Sequence, residues 1–342
     1  MRELLNVLYV LTQGTYLHLD HDTVRLEVER ETKARIPLLR LSGVVVFGDV
    51  LVSPALIHRC AEDGCALTFL DRNGRFMARV EGPTKGNVLL RRAQHLALSD
   101  AAACTAVARQ VVAAKVQNSR QVLLRAAREA DGGDSEALST AATRLADSLN
   151  RLRETSTLDS VRGCEGEAAR HYFAAFPRMV REDRAAFAPA GRTRRPPRDR
   201  MNAVLSFLYA ILRQEVAAAL EGVGLDPQVG YLHALRPGRP ALALDLMEEL
   251  RPVVADRLAL TLVNRRQLRR EHFEELPGGA WRLTDEGRRT VIVGYQTRKE
   301  EEVMHRVIDQ KAPWGLVPHV QARLLARHLR GDLAHYPPFL AR

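Results

Sequence analysis

The sequence predicts an α+β protein, with a small β-rich domain at residues 1–80 and a larger, mainly α-helical domain at residues 88–342. The first eighty residues hold short apolar or alternating runs bounded by turn residues, a pattern typical of strands. The segment EGPTKGN at residues 81–87 has the composition of a linker. After it, Ala, Leu, Val, Arg and Gln recur at helical spacing, which predicts a helical domain.

We expect five strands and one helix in the first domain. The run at 23–29 alternates apolar with charged side chains, as in a strand with one buried face. The predicted strands span residues 4–11, 15–20, 23–29, 43–47 and 67–70. The helix is marked by Ser53 as its N-cap, Pro54 in its first turn and Gly64 just past its end.

We expect the second domain to consist of helices joined by short loops. The predicted helices span residues 89–97, 102–128, 136–153, 165–176, 201–220, 245–263, 299–309 and 317–329. The sequence DGGD is expected to separate the second of these from the third. The segment PAGRTRRPPRDR at 189–200 is rich in proline and arginine, which predicts an exposed connector that can lie on phosphates.

The formal charge of +10 and the pI near 9.9 favour a polyanionic partner, with nucleic acid ahead of an anionic membrane. No run of eighteen apolar residues is present in the sequence, so we expect a cytoplasmic protein without a membrane partner. The four cysteines form no C-x-x-C pair, which argues against a zinc finger. Walker, G-x-G-x-x-G and G-x-S-x-G motifs are absent too, which argues against nucleotide cofactors and serine hydrolysis.

One stretch, residues 229–252, combines the chemistry of a metal site. His233 lies in a Gly/Pro-rich loop, and Asp245 and Glu248 follow it at helical spacing. Upstream, Glu165 opens another helical run, GCEGEAARHYF. Carboxylates together with an imidazole can bind a divalent metal of the kind used in phosphodiester chemistry. Metal chemistry on nucleic acid is therefore the leading hypothesis.

Each of these residues also has a structural interpretation. Asp245 and Glu248 match a capping box, in which both acids bond the first turn of their helix. Glu165 could be a first-turn acid that complements the helix dipole, and Glu167 competes with it from a different face. His233 could simply hydrogen-bond within its loop. The residue pattern alone leaves these alternatives open.

Two arginine clusters are candidates for binding DNA phosphates, although charge runs are commonly solvated surfaces. The clusters comprise Arg192, Arg194, Arg195 and Arg198 in the connector, and Arg265, Arg266, Arg269 and Arg270 farther along.

Several segments together resemble the CRISPR-associated integrase family, the catalytic subunit of the spacer-acquisition complex. They are KVQNSRQVL at 115–123, GCEGEAARHYF at 163–173, RRPPRDRMNAVLSFLYAIL at 194–212 and VGYLHALRPGRPALALDLMEELRP at 229–252. The order of glutamate, histidine and acidic helix is more specific than any single motif. With NRRQL and RGDLAHYPPF, the version here is most similar to integrases of type I-C systems.

The resemblance implies a β-rich domain that dimerises and a helical domain with one site for Mg²⁺ or Mn²⁺. By motif, the ligands fall on Glu165, His233 and Glu248, with Asp245 assisting or capping. Many relatives carry aspartate where Glu248 stands. Two further positions, Asn202 and Ser206, match family residues that support the site.

The implied activity is insertion of short DNA fragments at the repeat array, by attack of a fragment's 3′-hydroxyl on a phosphodiester. The implied partners are double-stranded DNA with 3′ overhangs, repeat DNA, a second copy of the chain, a small ferredoxin-like Cas-two subunit and a Cas-four nuclease. A non-catalytic basic scaffold that binds DNA is the alternative function. A zinc hydrolase of small molecules fits the ligand types but leaves the positive charge unexplained.

Overall fold

Strands dominate the first part of the chain and helices the second, which confirms the predicted α+β class. The computed structural model describes residues 7–41, 43–72, 76–82 and 88–341. It divides into two units, Met1–Gly86 and Asn87–Arg342. The predicted linker at 81–87 lies outside the described residues from position 83 onward, and so do the first three residues of the strand predicted at 4–11.

The first unit contains two four-stranded sheets. Its strands are β1 Val7–Val10, β2 Thr15–Asp20, β3 Thr23–Val28, β4 Glu31–Pro37, β5 Gly43–Phe47, β6 Val50–Val52, β7 Ala66–Leu70 and β8 Phe76–Val80. One sheet has the order β1-β5-β7-β8, in which β5 pairs in parallel with both β1 and β7. The other has the order β4-β3-β2-β6. Buried apolar residues of this unit, among them Leu17, Val44, Leu56 and Leu67, form its core.

The α-helix α1 (Pro54–Asp63) of this unit has the ends that the sequence predicted. The Ser53 side chain accepts a hydrogen bond from the Leu56 amide, and Gly64 ends the helix with φ of 72°. Three strands, β4, β6 and β8, were not predicted. Strand β4 is largely exposed and only Ala34 and Ile36 in it are half-buried, so its pairing with β3 defines it.

The second unit is built from helices and two β-hairpins. The helices are α2 Val88–Ser99, α3 Ala101–Arg128, α4 Gly132–Arg153, α5 Leu158–Ala175, α6 Arg184–Phe187, α7 Arg200–Gly222, α8 Ala241–Met247, α9 Arg257–Asn264, α10 Asp285–Glu300 and α11 Val317–Leu329. The hairpins are β9 Phe273–Leu276 with β10 Ala280–Leu283, and β11 Glu302–His305 with β12 Gln310–Pro313. A π-helical turn, Arg251–Asp256, leads into α9.

Helix α7 is a core helix of the second unit. It is long and apolar enough to pass a test for a membrane span, with a mean hydropathy of 1.5 over its most apolar stretch. However, 61% of that stretch is buried inside the protein. Packing against α8, α11 and the π-helical turn accounts for its apolar surface.

Two helix starts differ from the prediction, and both bear on the candidate site. Helix α5 begins at Leu158, where Thr157 caps it, so Glu165 lies in mid-helix and not in the first turn. Helix α8 begins at Ala241 after Pro240, so the capping-box interpretation of Asp245 and Glu248 is wrong. Neither acid therefore caps the start of its own helix.

Two other predictions about helices need correction. The helix predicted at 299–309 is a hairpin, because α10 ends at Glu300 and β11 pairs with β12 through a turn that includes Asp309 at a φ of 48°. The second and third predicted helices are separate, as expected, but the break lies at residues 129–131, and Gly132 and Gly133 already form the first turn of α4.

Candidate functional site

The three ligands implied by the resemblance come from three separate segments, and two of them contact the same ammonium group. Helix α5 contributes Glu165, the loop after α7 contributes His233, and Glu248 follows directly on α8. Lys115, on α3, contacts Glu165 Oε1, and its Nζ lies 2.7 Å from Glu248 Oε2. His233 Nε2 lies 3.8 Å from Glu248 Oε1. We name Lys115, Glu165, His233 and Glu248 the acid–lysine cluster.

Asp245 fixes the loop that carries His233. Its Oδ2 accepts the backbone N–H of Tyr231 at 2.6 Å and of Leu232 at 2.9 Å. Its Oδ1 accepts the backbone N–H of His233 at 2.9 Å and lies 2.7 Å from His233 Nδ1. Gly230 permits this approach, since a Cβ there would lie only 2.8 Å from Asp245 Oδ2. Asp245 therefore caps the histidine loop and not its own helix.

The contact with Asp245 also decides which ring nitrogen of His233 is free. A carboxylate only accepts hydrogen bonds, so Nδ1 donates to Asp245, and in the neutral ring Nε2 is the nitrogen that has the lone pair. That lone pair belongs to the nitrogen nearer to Glu248. A histidine oriented in this way by a carboxylate is the usual arrangement of a metal-binding imidazole.

Glu248 is buried, with 2% of its surface exposed, and is held ionised by surrounding cations. Burial works to raise the pKa of its carboxyl group. Arg251, Lys115 and His233 outweigh this effect and lower the pKa to about 2. Arg251 Nη1 lies 2.6 Å from Glu248 Oε1, whereas Oε2, although close to the Lys115 ammonium, has no hydrogen-bond partner of suitable geometry.

Another buried acid, Asp256, bonds to residues that surround Arg251, the partner of Glu248. Tyr209 donates a hydrogen bond to its Oδ1 at 2.6 Å, and Tyr172 donates to its Oδ2 at 3.0 Å. The Arg251 guanidinium lies 4.9 Å from the centre of the Tyr209 ring. Burial raises the pKa of Asp256 to about 6, although both tyrosines and nearby arginines act in the opposite direction. Asp256 thus ties α5 and α7 to the turn that holds Arg251.

Glu167, the sequence competitor of Glu165, is engaged elsewhere. Its carboxylate lies 2.8 Å from Arg151 Nη2 and 3.7 Å from His171 Nε2. Arg151 lowers the pKa of Glu167, chiefly through that hydrogen bond. Residues 165 and 167 therefore face different neighbours, as their helical spacing requires.

Five of the eight arginines in the two predicted phosphate-binding clusters make side-chain contacts within the protein. Arg192 donates to Asn202 Oδ1 at 2.7 Å and to Ser206 Oγ at 3.2 Å. The other four are Arg198, which donates to the Gly278 carbonyl, Arg266, which pairs with Glu182, Arg269, which donates to the Arg266 carbonyl, and Arg270, which pairs with Asp183. The two predicted supporting residues, Asn202 and Ser206, therefore hold the basic connector, and neither contacts the acid–lysine cluster.

The side chains of the other three predicted arginines, Arg194, Arg195 and Arg265, are exposed and make no hydrogen bond or ion pair with any described residue. Arg194 lines the same cavity as Lys115 and Arg251. Arg195 lies near Arg213, whose pKa is lowered by burial and then by repulsion from Arg195 and Arg251. Arg194 thus lies beside the two cations that contact Glu248.

Sequence reasoning did not single out Lys115, Arg251 or Asp256. Arg251 could have been found, since it lies one helical turn after Glu248. Lys115 opens the segment KVQNSRQVL, but no acid near it in the sequence indicates a role. Asp256 is recognisable only from its two tyrosine partners, which are distant in sequence.

The donor atoms of the cluster suit Mg²⁺ or Mn²⁺, which take carboxylate oxygens and, for Mn²⁺ especially, imidazole nitrogen. The clearest sign of such a fit is that the Glu165 and Glu248 carboxylates already share one cation, the Lys115 ammonium. As they stand, no three His, Cys, Asp or Glu side chains of the described ranges are grouped closely enough to hold a metal ion. The Lys115 ammonium instead contacts two of the carboxylates.

A basic α+β protein with carboxylates, an oriented imidazole and free arginines in one place belongs to the class that acts on nucleic-acid phosphodiesters. Its family is established by sequence. The family model described as "CRISPR associated protein Cas1" matches residues 8–297. The chain belongs to the Cas1 family, as the sequence motifs indicated; the type I-C subtype stays a prediction.

Relatives of known name match along the chain. The "CRISPR-associated endonuclease Cas1 1" of Moorella thermoacetica is 57% identical over 100% of both chains. A "CRISPR-associated exonuclease Cas4/endonuclease Cas1 fusion" of Geobacter sulfurreducens is 36% identical over 98% of this chain and 60% of its own length. These names support a nuclease or integrase role in a CRISPR system.

Solved structures share the fold. A Cas1 protein from Thermotoga maritima has a TM-score of 0.82 at 26% identity, over 95% of this chain and 97% of its own. A casposase bound to integration product has a TM-score of 0.81 at 22% identity, over 97% and 93%. A Cas6-RT-Cas1–Cas2 complex has a TM-score of 0.84 at 23% identity, over 100% of this chain and 37% of that one.

Proposed function

We propose that this chain is a divalent-metal-dependent DNA integrase and endonuclease that inserts short DNA fragments at a CRISPR repeat array. The observation that carries the proposal is that Glu165 and Glu248 share the Lys115 ammonium and that His233 Nε2 lies 3.8 Å from Glu248 Oε1. Arg194 lines the same cavity as Lys115. These three side chains would hold Mg²⁺ or Mn²⁺. The ion, when bound, supplies stabilisation of the negative charge that develops on the phosphate.

The protein's own residues position and balance the charge of this site. Asp245 holds the imidazole of His233 by its Nδ1, which directs Nε2 to the site. Arg251 keeps the Glu248 carboxylate ionised. Arg194 and Arg195 would attract the DNA backbone. The attacking group is the 3′-hydroxyl of a DNA fragment, so that the protein needs no nucleophile of its own.

The proposed assembly follows from the reaction. Attack on both strands of a repeat requires two sites, which a symmetric pair of chains would supply. We assign this pairing to the β-rich unit, as the family resemblance implies. The Cas2 component of the solved complex and the Cas4 part of the fusion relative support partners of those two kinds. The DNA substrates would be a fragment with 3′ overhangs and the repeat, in the cytoplasm.

Strand transfer in vitro tests the proposal. Labelled DNA with 3′ overhangs and a repeat-containing plasmid are incubated with the protein, its Cas2 partner and Mn²⁺. Glu165→Ala and His233→Ala should each reduce joined product at least a hundredfold, while Glu167→Ala, the matched control on the same helix, retains it. Full activity in either variant, or activity that survives a chelator, would contradict the assigned metal site, whereas DNA binding without any joined product from the wild type would favour the non-catalytic scaffold.

A further inference from the structure

Lys115 is the one member of the acid–lysine cluster that is not a metal-ligand candidate. Its side chain is 13% exposed, and it contacts Glu165 Oε1 while lying 2.7 Å from Glu248 Oε2. A buried ammonium needs such partners, because the cost of burying an unpaired charge is several kcal/mol. Lys115 is therefore bound to the same two carboxylates that the proposed function gives to the metal.

The placement of Lys115 is fixed by its helix. Asn118, one turn farther along α3, donates hydrogen bonds to the Glu249 carbonyl at 2.7 Å and to the Phe339 carbonyl at 2.9 Å. Its Oδ1 accepts the Ala341 amide at 2.9 Å. Helix α3 is thus tied to the residue next to Glu248, and Lys115 is held opposite that carboxylate.

The positive charge of Lys115 affects how strongly the two carboxylates can bind a metal ion. Without Lys115, the ionised Glu165 and Glu248 would face each other with Arg251 as the nearest remaining cation on Glu248. Two carboxylates that contact one ammonium lie close enough to repel each other, and a divalent ion relieves that repulsion. An ammonium already between them relieves part of it and also repels an incoming cation. Both effects weaken metal binding.

We infer that Lys115 competes with the metal ion for Glu165 and Glu248; this inference rests on the proposed function. Lys115 holds Glu165 and Glu248 together before metal binds, and it leaves their oxygens when an ion takes its place. The flexible stem of lysine allows that withdrawal, and the compact charge of its ammonium makes it an effective substitute for an ion. Lys115 thereby sets the metal affinity of the site.

The test is a calorimetric titration of the full chain with Mn²⁺ in the absence of DNA. Lys115→Met keeps the length of the side chain and removes its charge, and it should bind Mn²⁺ at least tenfold more tightly than the wild type. Lys115→Arg should bind like the wild type. Arg125→Met is the matched control, since it removes a cation from an exposed pair on the same helix, and it should leave the affinity unchanged.

Thermal unfolding provides a second readout. In chelator Lys115→Met should melt at a lower temperature than the wild type, and Mn²⁺ should raise its midpoint by more than it raises that of the wild type. A variant that is unfolded in chelator and folds on adding Mn²⁺ gives the same support.

Two results are informative in different ways. Wild-type binding of Mn²⁺ together with equal or weaker binding by Lys115→Met would overturn the competing-cation role and leave the proposed function standing. Failure of both proteins to bind Mn²⁺ would overturn the metal site itself, and the competing-cation role with it.

Discussion

Asp245 and Glu248 lie one helical turn apart and have different roles because their surroundings differ. Asp245 accepts three backbone N–H groups and contacts His233 Nδ1, so both of its oxygens are used in positioning the loop. Glu248 contacts two cations, Arg251 through Oε1 and Lys115 through Oε2, and accepts no backbone N–H from the part of the chain that the structure describes. The first acid positions the site and the second is available as a ligand.

Replacing Asp245 should therefore weaken metal binding without removing a ligand. Asp245→Asn places an amide against N–H donors and loses the charge that orients His233, and we expect a 10–100-fold loss of Mn²⁺ affinity. Titration with Mn²⁺ measures it. Asp226→Asn, in the same interhelical segment but bonded to Gln228 instead, is the control. Unchanged affinity in Asp245→Asn would show that the imidazole is oriented by other contacts.

At the scale of single residues, the sequence predicted part of the candidate site and missed part of it. The sequence singled out Glu165, His233, Asp245 and Glu248; the structure pairs His233 with Asp245 and Glu248, and links Glu165 to Glu248 through Lys115. The capping box was wrong because a helix start four residues earlier cannot be read from D-x-x-E alone. Lys115 was missed since its partners lie far away in the sequence.

Among the elements, the π-helical turn after α8 is the one that organises the site. It carries Arg251 at its first residue and Asp256 at its last. π-Helical segments are rare and occur frequently at functional sites. The tyrosines on α5 and α7 bond Asp256, so that two long helices meet at this turn.

The raised pKa of Asp256 makes the stability of the protein depend on pH. Between pH 3.8 and about 6 the folded chain keeps a proton that the unfolded chain has released, so stability falls as pH rises through this window. Across this window the free energy of unfolding should fall by about 3 kcal/mol because of Asp256. Asp256→Asn should remove this contribution, which urea unfolding at several pH values from 4 to 7 measures.

Wild-type and Asp256→Asn free energies of unfolding should therefore converge or cross as pH rises, since the wild type alone loses this stability. Glu249, another buried acid with a raised pKa, is present in both proteins and cancels in the comparison. Parallel curves from pH 4 to 7 would show that the Asp256 carboxyl titrates normally.

Elements with strong end signals were predicted well, and elements defined by pairing were not. Helix α1 has its cap, its proline and its terminal glycine, and both ends were correct. The hairpin of β11 and β12 was mistaken for a helix because its residues are charged and helix-favouring, while cross-strand pairing decides their conformation.

Across the whole molecule, the positive charge is divided into arginines that are paired and arginines that are free. Arg266 and Arg270 are held by Glu182 and Asp183. Arg194 and Arg195 have no such partner among the described residues. The formal charge of +10 predicted a polyanionic partner, but only the structure indicates which arginines remain available to it.

The difference between paired and free arginines predicts which substitutions change the salt dependence of DNA binding. Arg194→Ala/Arg195→Ala should lower the slope of log affinity against log salt concentration by roughly 0.9 for each phosphate that is no longer neutralised, up to about 1.8. Arg266→Ala/Arg270→Ala, which removes paired arginines, should change it by much less. Fluorescence anisotropy across salt concentrations measures both, and equal slopes in the two variants would contradict the division.

The central claim is that Glu165, His233 and Glu248 form one metal site, and anomalous diffraction from crystals containing Mn²⁺ tests it most directly. We predict a single strong peak within about 2.0–2.4 Å of a carboxylate oxygen of each glutamate and of His233 Nε2, with the Lys115 ammonium moved away from both carboxylates. A peak elsewhere, or none in the presence of millimolar Mn²⁺ with the Lys115 contacts intact, would contradict the account.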